Sequence, residues 1–411
     1  MFEHLGIAPA DILLPNCNLS KWSVIACDQF TAQADYWRRV DEIVGSAPSS
    51  LRLILPEAFL HEQDVEHSIA QINETMEQYL NQYLFYTREH TMIYVEREVS
   101  GGKKRCGLVC QVDLEEYDYR PGSCAEIRAT EKTVTERIPF RVRIRENAPL
   151  ELPHVMILMD DSACPVIAPL HERREQMEKL YGFTLMEGGG HNDGWRLDDA
   201  SLAEVETNLS FLRRHTDMLF AVGYGNHSLA AAKAIYERDK QAVPPEEWET
   251  LPSRWALAEV VSLNDPSVEF LPIHRIVFGV DSRQMLREFY EHYPQTIPEE
   301  GEGHVIRWCC KDKSGVLTVP HPEADLAVET LQSFIDSYLS RHGGTVDYIH
   351  DLSAVEEMSR QTQTIGFLLP EFPRQALFPY VKAHGALPRK TFSIGRSRDK
   401  RYYLEARALV R

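Results

Sequence analysis

The chain has 411 residues, 43% of them hydrophobic and 26% charged, which is enough apolar material for a packed core and lacks the bias of a disordered polymer. Against 44 basic side chains stand 62 acidic ones, a formal charge of −18. That excess excludes nucleic acid and anionic membrane as the main partner, because both require broad basic surfaces.

The first residues, MFEHLGIAPADILLPN, show neither the basic patch nor the apolar run of a secretory signal. No stretch approaches the roughly 18 uncharged apolar residues of a membrane span, so a cytoplasmic protein is expected. Eight scattered cysteines, including the vicinal pair Cys309-Cys310, contain no C-x-x-C spacing and are expected to be free thiols.

In chain order, residues 64–84 predict an amphipathic helix, with Val65, Ile69, Ile72, Met76, Leu80 and Tyr83 on one stripe. TMIYVEREV, a Ser100-Gly101-Gly102 turn and KKRCGLVCQVDL predict a β-hairpin. From Arg137 to Arg145 the pattern alternates. Ile138, Phe140, Val142 and Ile144 are expected on one strand face, with Arg137, Arg141, Arg143 and Arg145 on the other. VMILMDD is expected as a buried strand, residues 170–181 as a charged helix, and Gly188-Gly189-Gly190-His191 as a loop.

A helix near 201–215 then leads into the strand MLFAVG, the turn GYGNHS and the helix LAAAKAIYER. Beyond the strand LPIHRIVFGV, strands and helices alternate to the basic end, LPRKTFSIGRSRDKRYYLEARALVR, which is expected to form a hairpin. The fold class is therefore α+β, mixed sheets with flanking helices. An N-terminal region, 1–285, is expected to carry the phosphate loop, with a C-terminal α/β region, 286–411, packed on it.

Met218 to Arg238 carries the most chemical information. Glycines let the chain turn tightly at Gly223-Tyr224-Gly225-Asn226-His227-Ser228, and the free N–H groups opening the next helix suit an anion such as phosphate. His227 and Ser228 offer side-chain donors. The plain alternative is a strand–turn–helix capped by Asn226 or Ser228. The arginines of 137–145 require anions, either a ligand or the protein's own carboxylates. Pro388-Arg389-Lys390-Thr391 places a basic patch beside a hydroxyl, and His274-Arg275 interrupts an apolar strand. A metal site from His191, Asp193, His227 and Asp160 or Asp161 follows no recognised ligand spacing.

Several segments together resemble one family: IACDQFTAQADYWRRVDEIVGSAPSSLRLILPE, RATEKTVTERIPFRVRIRENAPLELPHV, AVGYGNHSLAAAKA, LPIHRIVFGV, YIHD and LPRKTF. In order and spacing they are similar to the bacterial and archaeal domain-of-unknown-function family ten-fifteen, often described as associated with phosphoserine aminotransferase genes. The resemblance implies a ParB/sulfiredoxin-like strand–loop–helix core of the kind found in free-serine kinases. The family's D-G-H-H-R loop would correspond to Gly223–Ser228, with His227 its retained histidine. Tyr224 stands where aspartate is usual, Asn226 replaces the first histidine, and Ser228 replaces the arginine. The family's H-E-x-T appears as Thr130-Glu131-Lys132-Thr133, its L-P-T-H-R as Leu271 to Arg275, and its P-x-K-[ST] as Pro388 to Thr391.

Phosphoryl transfer needs donors and cations on the phosphates and a base or orienting group for the acceptor hydroxyl. With the resemblance, Gly223, Gly225, Asn226 and Ser228 are expected to cradle the phosphates, with Arg128, His274, Arg275 and Lys390 contributing. Asp28, Glu131 and His227 are the catalytic candidates. The expected function is a small-molecule phosphotransferase resembling a free-serine kinase, with ATP or ADP and magnesium as cofactors and a small phosphorylated metabolite or nucleotide as the bound partner. The rivals are a non-catalytic nucleotide- or metabolite-binding regulatory protein and a metal-dependent hydrolase.

Overall fold

The computed structural model describes residues 2–60, 64–133, 136 and 138–409. They pack as two units. The first comprises the chain up to Val268, Leu377–Ala386, and the residues from Gly395 onward; the second is Glu269–Ala376 with Leu387–Ile394. The division falls after Val268 rather than at 285/286, because the strand His274–Phe278 is an inner strand of the second unit's sheet.

A mixed ten-stranded sheet dominates the first unit, in keeping with an α+β class. Its order runs Glu178–Thr184, His191–Arg196, Ile93–Val99, Lys103–Asp113, Trp255–Ser262, Met156–Met159, Phe220–Tyr224, Ile127–Ala129, Tyr117–Asp118, and Ile7–Ala8 also pairs with Lys103–Asp113. The predicted hairpin forms as expected: Ile93–Val99 and Lys103–Asp113 pair antiparallel about the Ser100–Gly102 turn.

Strand alternation sorts this sheet's side chains into two cores. Leu108, Cys110 and Val112 join Ile157 and the buried Leu202, Val205, Leu209 and Leu212 of the helix Asp199–Arg213. Val109, one residue out of phase, faces the other way and packs with Ile93, Val95, Ile72 and Met76. Each such fully buried aliphatic side chain contributes roughly 1.5–3 kcal/mol.

The predicted stripe at 64–84 forms the helix Val65–Asn81, which buries Ile69, Ile72 and Met76. Asp64 caps it by accepting the Glu66 and His67 N–H groups. Tyr83 leaves the stripe: the helix has ended, its φ is +53°, and the ring is 88% exposed.

Three sequence expectations are corrected. Residues Ile138–Arg145 are helical, not extended, while Arg137 lies outside the described residues. Ile138 packs with Val142 against Ala230 and Ala231, a contact at helical spacing. The arginines meet the protein's own acids, Arg141 with Glu57, Arg143 with Glu66 at 2.6 Å, and Arg145 with Glu151. The helix expected at 170–181 occupies only Ala168–Arg173, and Glu178–Thr184 pairs as a strand with His191–Arg196. The C-terminal segment is no hairpin, since Phe392–Ile394 pairs with Phe270–Pro272 and Arg407–Ala408 with Leu150–Glu151. Strong pairing partners far along the chain outcompete local closure.

The second unit holds a five-stranded antiparallel sheet in the order Lys313–Val319, His304–Cys310, Thr364–Leu368, His274–Phe278, Thr345–Ile349. The helices Ser282–His292 and Ala327–His342 bring Phe289, Leu331, Phe334 and Ile335 onto Val277, Ile306 and Phe367. All eight cysteines are free. Among the described residues no helix is long and apolar enough to cross a membrane.

Candidate functional site at the start of the 226–240 helix

The strand Phe220–Tyr224 pairs with Met156–Met159, and its register shifts between Val222 and Tyr224, which re-aims the chain as it leaves the sheet. Thr130 Oγ1 donates to the Val222 carbonyl at 2.6 Å and pins this end. Gly225 then takes φ +89° and caps the helix Asn226–Lys240. A Cβ there would stand 3.0 Å from Val155 Cγ2 and 3.1 Å from its Cα, so conformation and space both demand glycine. The cap is thus Gly225, not Asn226 or Ser228. Its carbonyl accepts the N–H groups of Ser228 and Leu229, both at 3.0 Å. Asn226 is buried, and its Oδ1 has no hydrogen-bond partner.

Distant segments supply the other side chains. Asp28 Oδ1 accepts the Tyr224 hydroxyl and the Gln29 amide (3.3 Å), and Gln29 also donates to the Tyr224 oxygen at 2.9 Å. Burial pushes the Asp28 carboxyl up, but His154, the Tyr224 hydroxyl and Arg141 outweigh it and hold the group below its ordinary range. Ser228 Oγ lies 3.0 Å from His154 Nε2, and His154 Nδ1 lies 3.0 Å from the Tyr403 hydroxyl. Burial drives His154 down to about 4, opposed by Asp28 and reinforced by Arg141 and Arg401, so the imidazole is neutral near pH 7. Arg141 reaches Ser228 Oγ at 3.4 Å while pairing with Glu57.

Hydrogen bonds from buried arginines to backbone carbonyls inside the first unit hold these groups in place. Arg97 donates to the Arg398 carbonyl at 2.6 Å and Arg105 to the Asp399 carbonyl at 2.7 Å, clamping the segment that carries Tyr403 onto the sheet. Lys400 Nζ lies 4.9 Å from the Tyr224 ring centre. A cavity of about 140 Å³ adjoins the group, with Arg141, His154, Ser228 and Tyr403 in its lining beside Leu53, Leu55, Met76 and Leu152.

Of the sequence candidates, Asp28 and the Gly223–Ser228 loop meet here, and His227 occupies the second helical position, partly exposed. Glu131 follows Thr130 at the neighbouring strand end and is partly buried. Arg128 is buried and donates to the carbonyls of Ala125 (2.7 Å) and Asp217 (3.0 Å). The second unit holds the rest. Arg275, fully buried, donates to Gln332 Oε1 at 3.1 Å and to the carbonyls of Lys390 (2.9 Å) and Ile273, and its Nη2 has no hydrogen-bond partner. Burial lowers this guanidinium to about 10. His274 Nδ1 accepts the Leu369 N–H at 3.2 Å.

Sequence reasoning gave no role to His154, Gln29 or Tyr403. The one signal for His154 was a histidine directly before an apolar strand. The suggested metal set does not assemble. His191 pairs with Asp193 at 3.3 Å, and among the described residues the one group of three potential ligands is Glu96, Cys106 and His171. Glu96 there already meets Arg174 at 3.1 Å and Lys104 at 3.3 Å.

This is an α+β protein whose polar cluster surrounds a helix N-terminus at the end of a mixed sheet. The chain belongs to the DUF1015 family of proteins of unknown function, which it matches over residues 7–342. No curated protein matches it. Among solved structures it is similar to SbnI with a C-terminal truncation from Staphylococcus aureus, at 11% identity and TM-score 0.38, covering 70% of this chain and 82% of that one. A conserved hypothetical protein from Pyrococcus furiosus is similar at 9% identity and TM-score 0.35, with 72% and 90% covered. A free serine kinase in complex with AMP is similar at 10% identity and TM-score 0.37, with 72% and 87% covered. The chemistry of the site rests on this chain's own residues.

Proposed function

We propose that the protein binds a nucleotide or small phosphorylated metabolite at Gly223–Ser228 and transfers a phosphoryl group to the hydroxyl of a small acceptor, in the manner of a free-serine kinase. The observation that carries this reading is the union of a glycine-opened helix N-terminus with the Asp28 carboxylate, tied to it through Tyr224. Outward N–H groups and the helix dipole favour phosphate oxygens. The unpartnered Asn226 Oδ1 suits a hydroxyl or amino donor of the nucleoside.

Asp28 takes both of its hydrogen bonds on Oδ1, and its Oδ2 fits a magnesium ion, which binds one or two carboxylates along with phosphates. Such an ion supplies charge neutralisation on the phosphates. Arg141 adds a fixed positive charge beside the loop. The acceptor oxygen forms the new P–O bond as the bond to the departing nucleotide breaks, and the hydroxyl proton passes to the Asp28 carboxylate.

Isothermal titration of the full chain with ATP and ADP, with and without magnesium, is expected to show saturable binding. Absence of binding at millimolar nucleotide refutes the proposal. A binding protein without turnover is the second reading, favoured by the Tyr224 hydroxyl engaging the Asp28 carboxylate. It predicts nucleotide binding with no phosphate transfer to serine or related hydroxy compounds; gain of transfer in Tyr224→Asp would support it as a site that has lost turnover, and transfer by the wild-type chain would exclude it.

A further inference from the structure

We propose that Ser228 is a nucleophile activated by His154, and that the adjoining cavity takes the apolar acyl group of an ester substrate. Oγ and Nε2 are 3.0 Å apart, within direct proton-transfer reach. The Tyr403 oxygen accepts the Cys27 N–H at 3.2 Å and lies 3.0 Å from His154 Nδ1. An Nδ1–H directed at that oxygen leaves the Nε2 lone pair for the serine proton, the tautomer a general base needs. Ser228 is the third residue of a 15-residue helix, so the positive end of the helix lies beside it. Arg141 Nη1 donates to Oγ at 3.4 Å while its Nη2 pairs with Glu57, which sets a guanidinium beside the reacting atoms.

The cavity gives the substrate its class. At about 140 Å³ it nearly equals the roughly 150 Å³ that holds benzene, and Leu53, Leu55, Met76 and Leu152 line it, with the Arg145–Glu151 pair at one wall. An acyl group of about six carbons fits that space. Phosphoryl transfer at the loop does not call on this cavity or on His154; Ser228 and Arg141 serve both readings, which nucleotide titration and the covalent adduct below tell apart.

The steps balance as ester plus water giving alcohol plus acid. Ser228 Oγ bonds to the carbonyl carbon and its proton passes to Nε2. The ester C–O bond then breaks, and the leaving alkoxide takes that proton from His154. Water, deprotonated by His154, attacks the acyl-serine and releases the carboxylic acid, and Ser228 regains its proton.

The test uses the full chain with a hexyl fluorophosphonate, in which the serine oxygen displaces fluoride from phosphorus. Intact mass and peptide mapping are expected to show one adduct, on Ser228. It should be absent from Ser228→Ala and form at least about tenfold more slowly in His154→Asn. p-Nitrophenyl hexanoate should be cleaved faster than the acetate by on the order of a hundredfold, from burial of the four added methylenes. No adduct on the wild-type chain, an adduct elsewhere, or ester cleavage that persists in Ser228→Ala overturns the proposal. If Ser228→Ala fails to fold, Ser228→Cys decides: an acyl-thioester at position 228 supports it, and its absence overturns it.

Discussion

Arg401 Nη1 lies 2.6 Å from Glu259 Oε2, and both side chains are shut from solvent against the large sheet. Arg105 meets the other oxygen at 3.1 Å, and Arg401 Nε holds the Pro153 carbonyl, the residue before His154, also at 3.1 Å. One buried carboxylate thus ties together the middle of the sheet, the C-terminal segment and the approach to the candidate site.

Replacing that carboxylate leaves the buried Arg105 guanidinium without its counter-charge and Arg401 with Glu405 alone. Glu259→Gln is expected to lose about 3–5 kcal/mol in urea unfolding at pH 7. Burial pushes the Glu259 carboxyl up, yet Arg105 and Arg401 hold it at about 2, below its ordinary 4.5. A depressed acid contributes stability in full above its unfolded value, and that stability is lost as pH falls from about 4.5 through 2. Wild type should lose stability over this window, and the variant should lose less.

Glycine at 225 meets a conformational and a steric demand together. Gly225→Ala is expected to cost about 1–3 kcal/mol, read as a lowered midpoint of thermal unfolding. Gly223 has no left-handed φ, and Gly223→Ala is expected to cost less.

His154 couples the site to pH. Buried and facing Asp28, Arg141 and Arg401, its imidazole falls from 6.5 to about 4. The unfolded chain binds the proton first, so stability is whole above about 6.5 and declines as pH falls toward 4, by about 3 kcal/mol in all. Urea midpoints at pH 8 and pH 4.5 should therefore differ more in wild type than in His154→Gln.

The Tyr224 hydroxyl helps hold Asp28 ionised. In Tyr224→Phe the Asp28 carboxyl is expected to move up toward its ordinary value, visible as a shifted carboxyl midpoint by carbon NMR. Loss of a hydrogen bond to a charged group should also cost roughly 1.5–3 kcal/mol at neutral pH.

Elements governed by neighbours along the chain could be read directly. The stripe of the Val65–Asn81 helix, the hairpin about Ser100–Gly102 and the strand–glycine–helix passage at 220–240 each follow from periodicity or turn chemistry. Residues 138–145 misled because an alternation of apolar residues and arginines also places Ile138 and Val142 on one helical face. Their arginines settle as a helix once Glu57, Glu66 and Glu151 come within reach.

The sequence by itself determined the α+β class, the acidic background against which local cations stand out, and the glycine-opened helix start. Only the tertiary structure decided what surrounds that helix. The hydrogen bonds that build the site join residues 74, 196 and 249 positions apart, Ser228 to His154, Tyr224 to Asp28, and Tyr403 to His154. Backbone propensity acts over a few residues. A side-chain hydrogen bond or the space beside it depends on where the sheet delivers distant segments, and no local pattern encodes that.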